Sequence, residues 1–122
     1  MIEYDPNEEF SSASSRSWTI YAYNGRGIAN RLSDNLAKAM GDFDRAIELC
    51  QDDDTHHKNQ IYYNIGLTKK DMDDHEGAID AFTSAIEIVP DNVDAHYWRG
   101  LSRYYIDQRD CAIDDFSYVI NN

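Results

Sequence analysis

Three glycines set the register of this chain. Gly27 is followed by Ala39, Phe43 and Ala46, Gly66 by Ala78, Phe82 and Ala85, and Gly100 by Ala112, Phe116 and Val119. The second and third glycines lie 34 residues apart, and the first and second lie five residues further apart than that. Small and aromatic residues that return at fixed offsets over such a period predict a stack of helix-turn-helix units. A single-core enzyme domain would show no such phase.

Each unit reads as two helices joined by a polar turn. In the second unit Tyr62, Ile65, Gly66 and Lys69 form one stripe of period near 3.6, and Ala78, Phe82, Ala85 and Ile86 form another. The polar segment 71–77 lies between them. Glycine within a helix costs about 1 kcal/mol relative to alanine, so its return in all three units asks for a packing reason. The expected reason is a close approach of the paired helices, the glycine facing Ala39, Ala78 or Ala112 and the aromatic filling the space beside it.

This pattern resembles the tetratricopeptide repeat (TPR) family. Residues 59–92 follow the whole consensus through Tyr62, Ile65-Gly66, Ala78, Phe82, Ala85-Ile86-Glu87 and Pro90. The first unit keeps Tyr23, Gly27, Ala39, Phe43 and Ala46-Ile47-Glu48-Leu49, and the third keeps Gly100, Ala112, Phe116 and Val119. The resemblance implies an all-α fold, a TPR-like α-solenoid of three helix-turn-helix hairpins in a right-handed superhelix. The repeats would span about 20–53, 59–92 and 93–122 within a domain at 18–122. The chain departs from the family at Arg26 and Arg99, where leucine is usual, and at Asn30, Lys69 and Arg103, where tyrosine is common. The five extra residues near 54–58 predict a longer loop or an extended helix end.

Charge narrows the partners. A net charge of −12 offers no basic footprint for nucleic acid and none for an anionic membrane. No run approaches the ~18 apolar residues of a spanning helix, and the acidic start does not read as a signal peptide. Cys50 and Cys111 fall two units apart, which predicts two reduced thiols and a cytoplasmic setting.

The two ends differ from the middle. Residues 1–17 read as a flexible or partly helical lead, serine-rich over 11–17, with Ser17 a candidate cap for a helix beginning near Trp18. Residues 1–7 also resemble 85–91, which would fit the tail of a preceding repeat. At the other end Ile113, Phe116, Val119 and Ile120 leave the last helix with an apolar outer side and no polar cap. Those four residues are a candidate self-association surface and make a homo-oligomer through this helix the second reading of the chain.

In the family the first helix of each unit lines a concave face. On those helices Asn24, Ile28 and Arg31, then Tyr63, Leu67 and Lys70, then Tyr97, Leu101 and Tyr104 stand at i, i+4, i+7 and share one side. These nine residues are the candidate peptide-binding groove, with Tyr63, Tyr97 and Tyr104 as rigid anchors and Arg31 and Lys70 available to acidic side chains. The resemblance also implies places for a terminal-carboxylate clamp, at Asn24, Ile28, Asn64, Asp94 and Trp98. Only Asn64 matches that mode, and Asp94 has the wrong sign for it.

Other chemistry finds little support. The segment 71–77 sets its glycine one place late for a calcium loop and has Phe82 where a bidentate glutamate belongs. His56 and His57 are adjacent, unlike an i, i+4 zinc pair, and His96 occupies a packing position. Gly25-Arg26-Gly27 lacks the strand and third glycine of a phosphate loop. The sequence therefore predicts no enzyme, cofactor or metal site. It predicts a protein–protein interaction module that captures a partner's peptide segment as scaffold or adaptor, or alternatively a self-associating structural solenoid.

Overall fold

The computed structural model describes the backbone of residues 9–122 and the side chains of residues 15–122. The described residues form six helices in chain order: α1 (Glu9–Leu32), α2 (Leu36–Leu49), α3 (Thr55–Asp71), α4 (His75–Ile88), α5 (Val93–Tyr105) and α6 (Arg109–Asn121). They pair as α1 with α2, α3 with α4 and α5 with α6, and successive pairs stack through α2 on α3 and α4 on α5. Helix α1 runs straight through the serine tract, so Ser17 lies inside a helix and caps nothing. The likeness of residues 1–7 to a repeat tail falls outside the described residues. The extra residues after the first unit resolve as helix, because α3 begins at Thr55 whereas the third-unit phase would start it near Asn59.

All three turns within the pairs use the same backbone device. Asp34, Asp73 and Asp107 have φ of 63°, 60° and 64°, and they occupy the same place in the repeat. Aspartate tolerates this left-handed region better than most residues, because its short side chain finds local hydrogen bonds. The second helix of the middle unit then starts on Asp74, which accepts the Gly77 backbone N–H at 2.9 Å.

The core explains the glycines, with one correction. A Cβ on Gly27 would sit 2.6 Å from the Phe43 ring, and on Gly66 2.5 Å from the Phe82 ring. The glycine thus faces the phenylalanine directly, and the alanine is fully buried in the same cluster. Phe43 and Phe82 are fully buried. Phe43 joins Ile20, Ala39, Ala46, Ile61, Ile65 and Ala81 in one cluster, and Phe82 joins Leu67, Ala78, Ala85 and Ala95 in a second.

Four of the five departures from the consensus, all but Lys69, share a single cause. Arg26 grips Asp42 through Nε to Oδ2 at 3.0 Å and Nη2 to Oδ1 at 2.6 Å, while Asn30 Nδ2 donates to the same carboxylate at 2.9 Å. In the third unit Arg99 repeats the fork on Asp115 at 3.0 and 2.7 Å, and Arg103 Nη1 adds a bond of 2.8 Å. Both aspartates are buried and directly precede the core phenylalanine. In the middle unit the same places hold Ile65 and Ala81, both in the apolar core. Burying a carboxylate requires a paired, hydrogen-bonded cation, so arginine and aspartate must enter a unit together. The signal lay in the sequence as a shared arginine-to-aspartate offset of 16 residues in units one and three.

Candidate functional site

The first helices of the three units converge on a cavity of about 450 Å³. Helix α1 contributes Asn24 and Ile28, α3 contributes Asn59, Gln60, Tyr63 and Asn64, α5 contributes Asp94, and Val89 and Asn92 close it from the α4–α5 connection. The α3 residues reach it because 59 and 63, and 60 and 64, are each one helical turn apart.

Its polar groups are tied to one another without being exhausted. Asn64 Nδ2 donates to Asn24 Oδ1 at 2.9 Å, and Asn92 Nδ2 donates to Asn59 Oδ1 at 3.0 Å. Asn92 also caps α5 by accepting the Ala95 backbone N–H. An amide offers two donors and an acceptor, so the Asn24 and Asn59 NH₂ groups and the Asn64 carbonyl keep capacity toward the cavity. Asp94 is the one formal charge in the lining, and it is exposed. Burial, followed by the negative charge of Asp94, raises the Tyr63 phenol above its ordinary pKa, so it stays a neutral hydrogen-bond partner near neutrality.

The nine groove positions expected from the sequence separate into groups. Asn24, Ile28 and Tyr63 meet in the cavity. Leu67 turns into the core against Ala95 and Trp98, because α5 covers that side of α3. Arg31 and Lys70 converge on one carboxylate: Arg31 Nη1 lies 2.9 Å from Asp71 Oδ2, and Lys70 Nζ lies 3.3 Å from Asp71 Oδ1. Lys70 also stands 4.3 Å over the Trp98 ring. Both cations are thereby engaged inside the molecule. On α5, Tyr97 leans on Trp98 and Phe116, Tyr104 contacts Tyr105, both tyrosines are exposed, and Leu101 is half-buried. Asn59, Gln60, Val89 and Asn92 were missed as lining residues; the one-turn pairing of the first two with Tyr63 and Asn64 was the available clue.

On the last helix Ile113 and Ile120 are exposed, while Phe116 and Val119 are half-buried. Cys50 and Cys111 are free thiols, and burial raises the pKa of Cys50. Among the described residues no helix is long and apolar enough to cross a membrane, and no group of three or more His, Cys, Asp or Glu side chains is placed to hold a metal.

Comparison with known proteins agrees with this architecture. A family model described as TPR repeat matches residues 70–105. The chain is 33% identical over 90 residues to photosystem I assembly protein Ycf3 of Acaryochloris marina, a match covering 74% of this chain and 53% of that protein. It therefore spans about half the length of that curated relative. The crystal structure of MamA superposes with a TM-score of 0.75 at 29% identity, over 84% of this chain and 57% of MamA. The second TPR of Spaghetti (RPAP3), solved with the HSP90 peptide SRMEEVD, superposes with a TM-score of 0.77 at 18% identity, over 88% of this chain and 96% of that one. At that identity the likeness concerns the fold. The phased helix pairs, the matched repeat model and the shared fold place this chain in the tetratricopeptide repeat family.

Proposed function

We propose that this chain is a protein–protein interaction module whose concave face captures an extended peptide segment of a partner. The observation that carries the reading is the cavity at Tyr63, where α1, α3 and the α4–α5 connection present amide donors and acceptors beside apolar surface and α5 adds Asp94. An extended peptide exposes alternating backbone N–H and C=O groups, and asparagine amides answer both. Tyr63 adds rigid contact area at small entropic cost.

The lining also selects by charge. Asp94 supplies negative charge, and Arg31 and Lys70 are held by Asp71. The RPAP3 domain was solved with a peptide ending in Glu-Glu-Val-Asp. The present cavity, with Asp94 and Ile28 in its wall, suits a neutral or basic segment better than an acidic tail of that kind. Selection from a random peptide display library tests this. Neutral or basic sequences should be enriched, and a folded Asn24→Ala/Tyr63→Ala variant should lose them. Enrichment of acidic sequences, or equal capture by the variant, would overturn it.

A further inference from the structure

The two outer faces of the helix stack carry the two halves of a contact that the molecule already makes once inside itself. That contact is α4 on α5. From α5, Ala95 is fully buried in the cluster of Phe82 and Ala85, and Arg99 Nη1 donates to Thr83 Oγ1 at 3.3 Å. Ser102, seven residues beyond Ala95 and so on the same side, is also buried. From α4 come Phe82, Thr83, Ala85 and Ile86.

The repeat register carries both halves to the ends. Gly100 corresponds to Gly27, so Ala95, Arg99 and Ser102 correspond to Ala22, Arg26 and Ala29 on α1. All three are exposed there, and the Arg26 side chain is 66% accessible against 14% for Arg99. Arg26 uses Nε and Nη2 on Asp42 as Arg99 does on Asp115, but among the described residues its Nη1 has no counterpart to Thr83. Gly66 likewise corresponds to Gly100, so Phe82, Thr83, Ala85 and Ile86 correspond to Phe116, Ser117, Val119 and Ile120 on α6. Phe82 and Ala85 are fully buried, whereas Phe116 and Val119 are half-buried and Ile120 is 81% exposed. Ser117 keeps the hydroxyl that Thr83 offers to Arg99.

We infer that copies of this chain stack head to tail, α6 of one copy against α1 of the next, repeating the α4–α5 contact between molecules. The partner is a second copy, because α1 presents the same Ala-Arg-small set at the same spacing that α4 already accepts from α5. Arg26 Nη1 of the next copy would then donate to the Ser117 hydroxyl of the first, while Ala22 of the next copy packs on Phe116 and Val119 of the first. Such a contact is heterologous and does not close on itself, so assemblies lengthen with concentration. The net charge of −12 on each copy opposes association, and added salt should strengthen it.

Sedimentation velocity over a concentration series of the full chain tests the inference, with Ala22→Glu and Ile120→Glu as single variants whose folding is confirmed by thermal melting. Wild type should grow from monomer to dimer and beyond. Each variant alone should raise the dissociation constant at least about tenfold. Mixing the two should restore a complex that stops at a dimer, since one supplies an intact α1 and the other an intact α6. A wild type that stays monomeric at high concentration overturns the proposal, as does a mixture that fails to pair. Association that survives Ala22→Glu and is lost only in Ile120→Glu would overturn it too, showing α6 meeting α6 or another surface instead.

Discussion

Asp115 is 3% exposed and sits between two arginines, with Arg99 bonded to both of its oxygens and Arg103 to one. His96 flanks the cluster, its Nδ1 3.6 Å from Asp115 and its ring stacked on Tyr118. Removing the carboxylate strands two cations whose side chains are only 14% and 20% accessible. Asp115→Ala should therefore cost about 3 kcal/mol in urea unfolding. Asp42→Ala should cost about 1 kcal/mol, because its partner Arg26 is already largely hydrated. The triple change Arg99→Ile/Arg103→Lys/Asp115→Ala copies the apolar middle unit and should return most of the loss. Equal costs at the two aspartates, or no recovery in the triple variant, would contradict the paired-entry account of these residues.

The same lock predicts an acid sensitivity. The Arg26 hydrogen bonds, opposed by burial and helped by Asn30, hold the Asp42 carboxyl below its usual range. A depressed folded pKa stabilises the protein above the unfolded value of about 3.9, and that contribution disappears as pH falls through the folded value. The stability gap between wild type and Asp42→Asn should be constant at neutral pH and should shrink only below about pH 4. Urea midpoints measured across the acid-to-neutral range check this. A gap that persists undiminished at the acid end would show that Asp42 acts by shape alone.

Glycines that look alike in sequence should behave in opposite ways. Alanine at Gly66 drives a Cβ into the buried Phe82 ring and should destabilise by about 1–3 kcal/mol, with Gly27→Ala close behind. Gly100→Ala should cost less, since its nearest contacts are 3.0 and 3.1 Å and Phe116 is only half-buried. At Gly25 and Gly41 a Cβ would meet nothing within 4 Å, so alanine there should stabilise by up to about 1 kcal/mol. Thermal melts of the five variants rank them directly.

Asp34, Asp73 and Asp107 hold left-handed backbone that costs a non-glycine residue roughly 1 kcal/mol. Asp73→Gly should gain up to about 1 kcal/mol, part of it offset by the greater freedom of glycine in the unfolded chain. Asp73→Val should lose stability, because a β-branched side chain is an outlier at that φ. A melting temperature raised by glycine and lowered by valine supports the assignment; the reverse order contradicts it.

The helix pairs were legible because Gly, Ala and Phe return in phase, and that phase survives into the stacked core. The charged departures were harder to interpret. Arg26, Asn30, Arg99 and Arg103 looked like exceptions until Asp42 and Asp115 supplied their common cause, since a buried aspartate and the cation it pairs with break the hydrophobic pattern at two places simultaneously. In the groove, helical spacing brought Asn24, Ile28 and Tyr63 to one side, but it could not foresee that α5 would cover Leu67. Nor could it foresee that Asp71 would draw in Arg31 and Lys70. Those outcomes depend on how one unit lies against the next, which a periodicity within a single helix does not encode.

The most direct test of the central claim is the footprint of a display-selected peptide on the isotopically labelled chain, read as amide chemical-shift changes. Peptide capture by the concave face predicts shifts centred on Asn24, Ile28, Tyr63, Asn64 and Asp94, contributed by α1, α3 and α5. Shifts centred on α2, α4 or the outer side of α6, with those five residues unmoved, would contradict it.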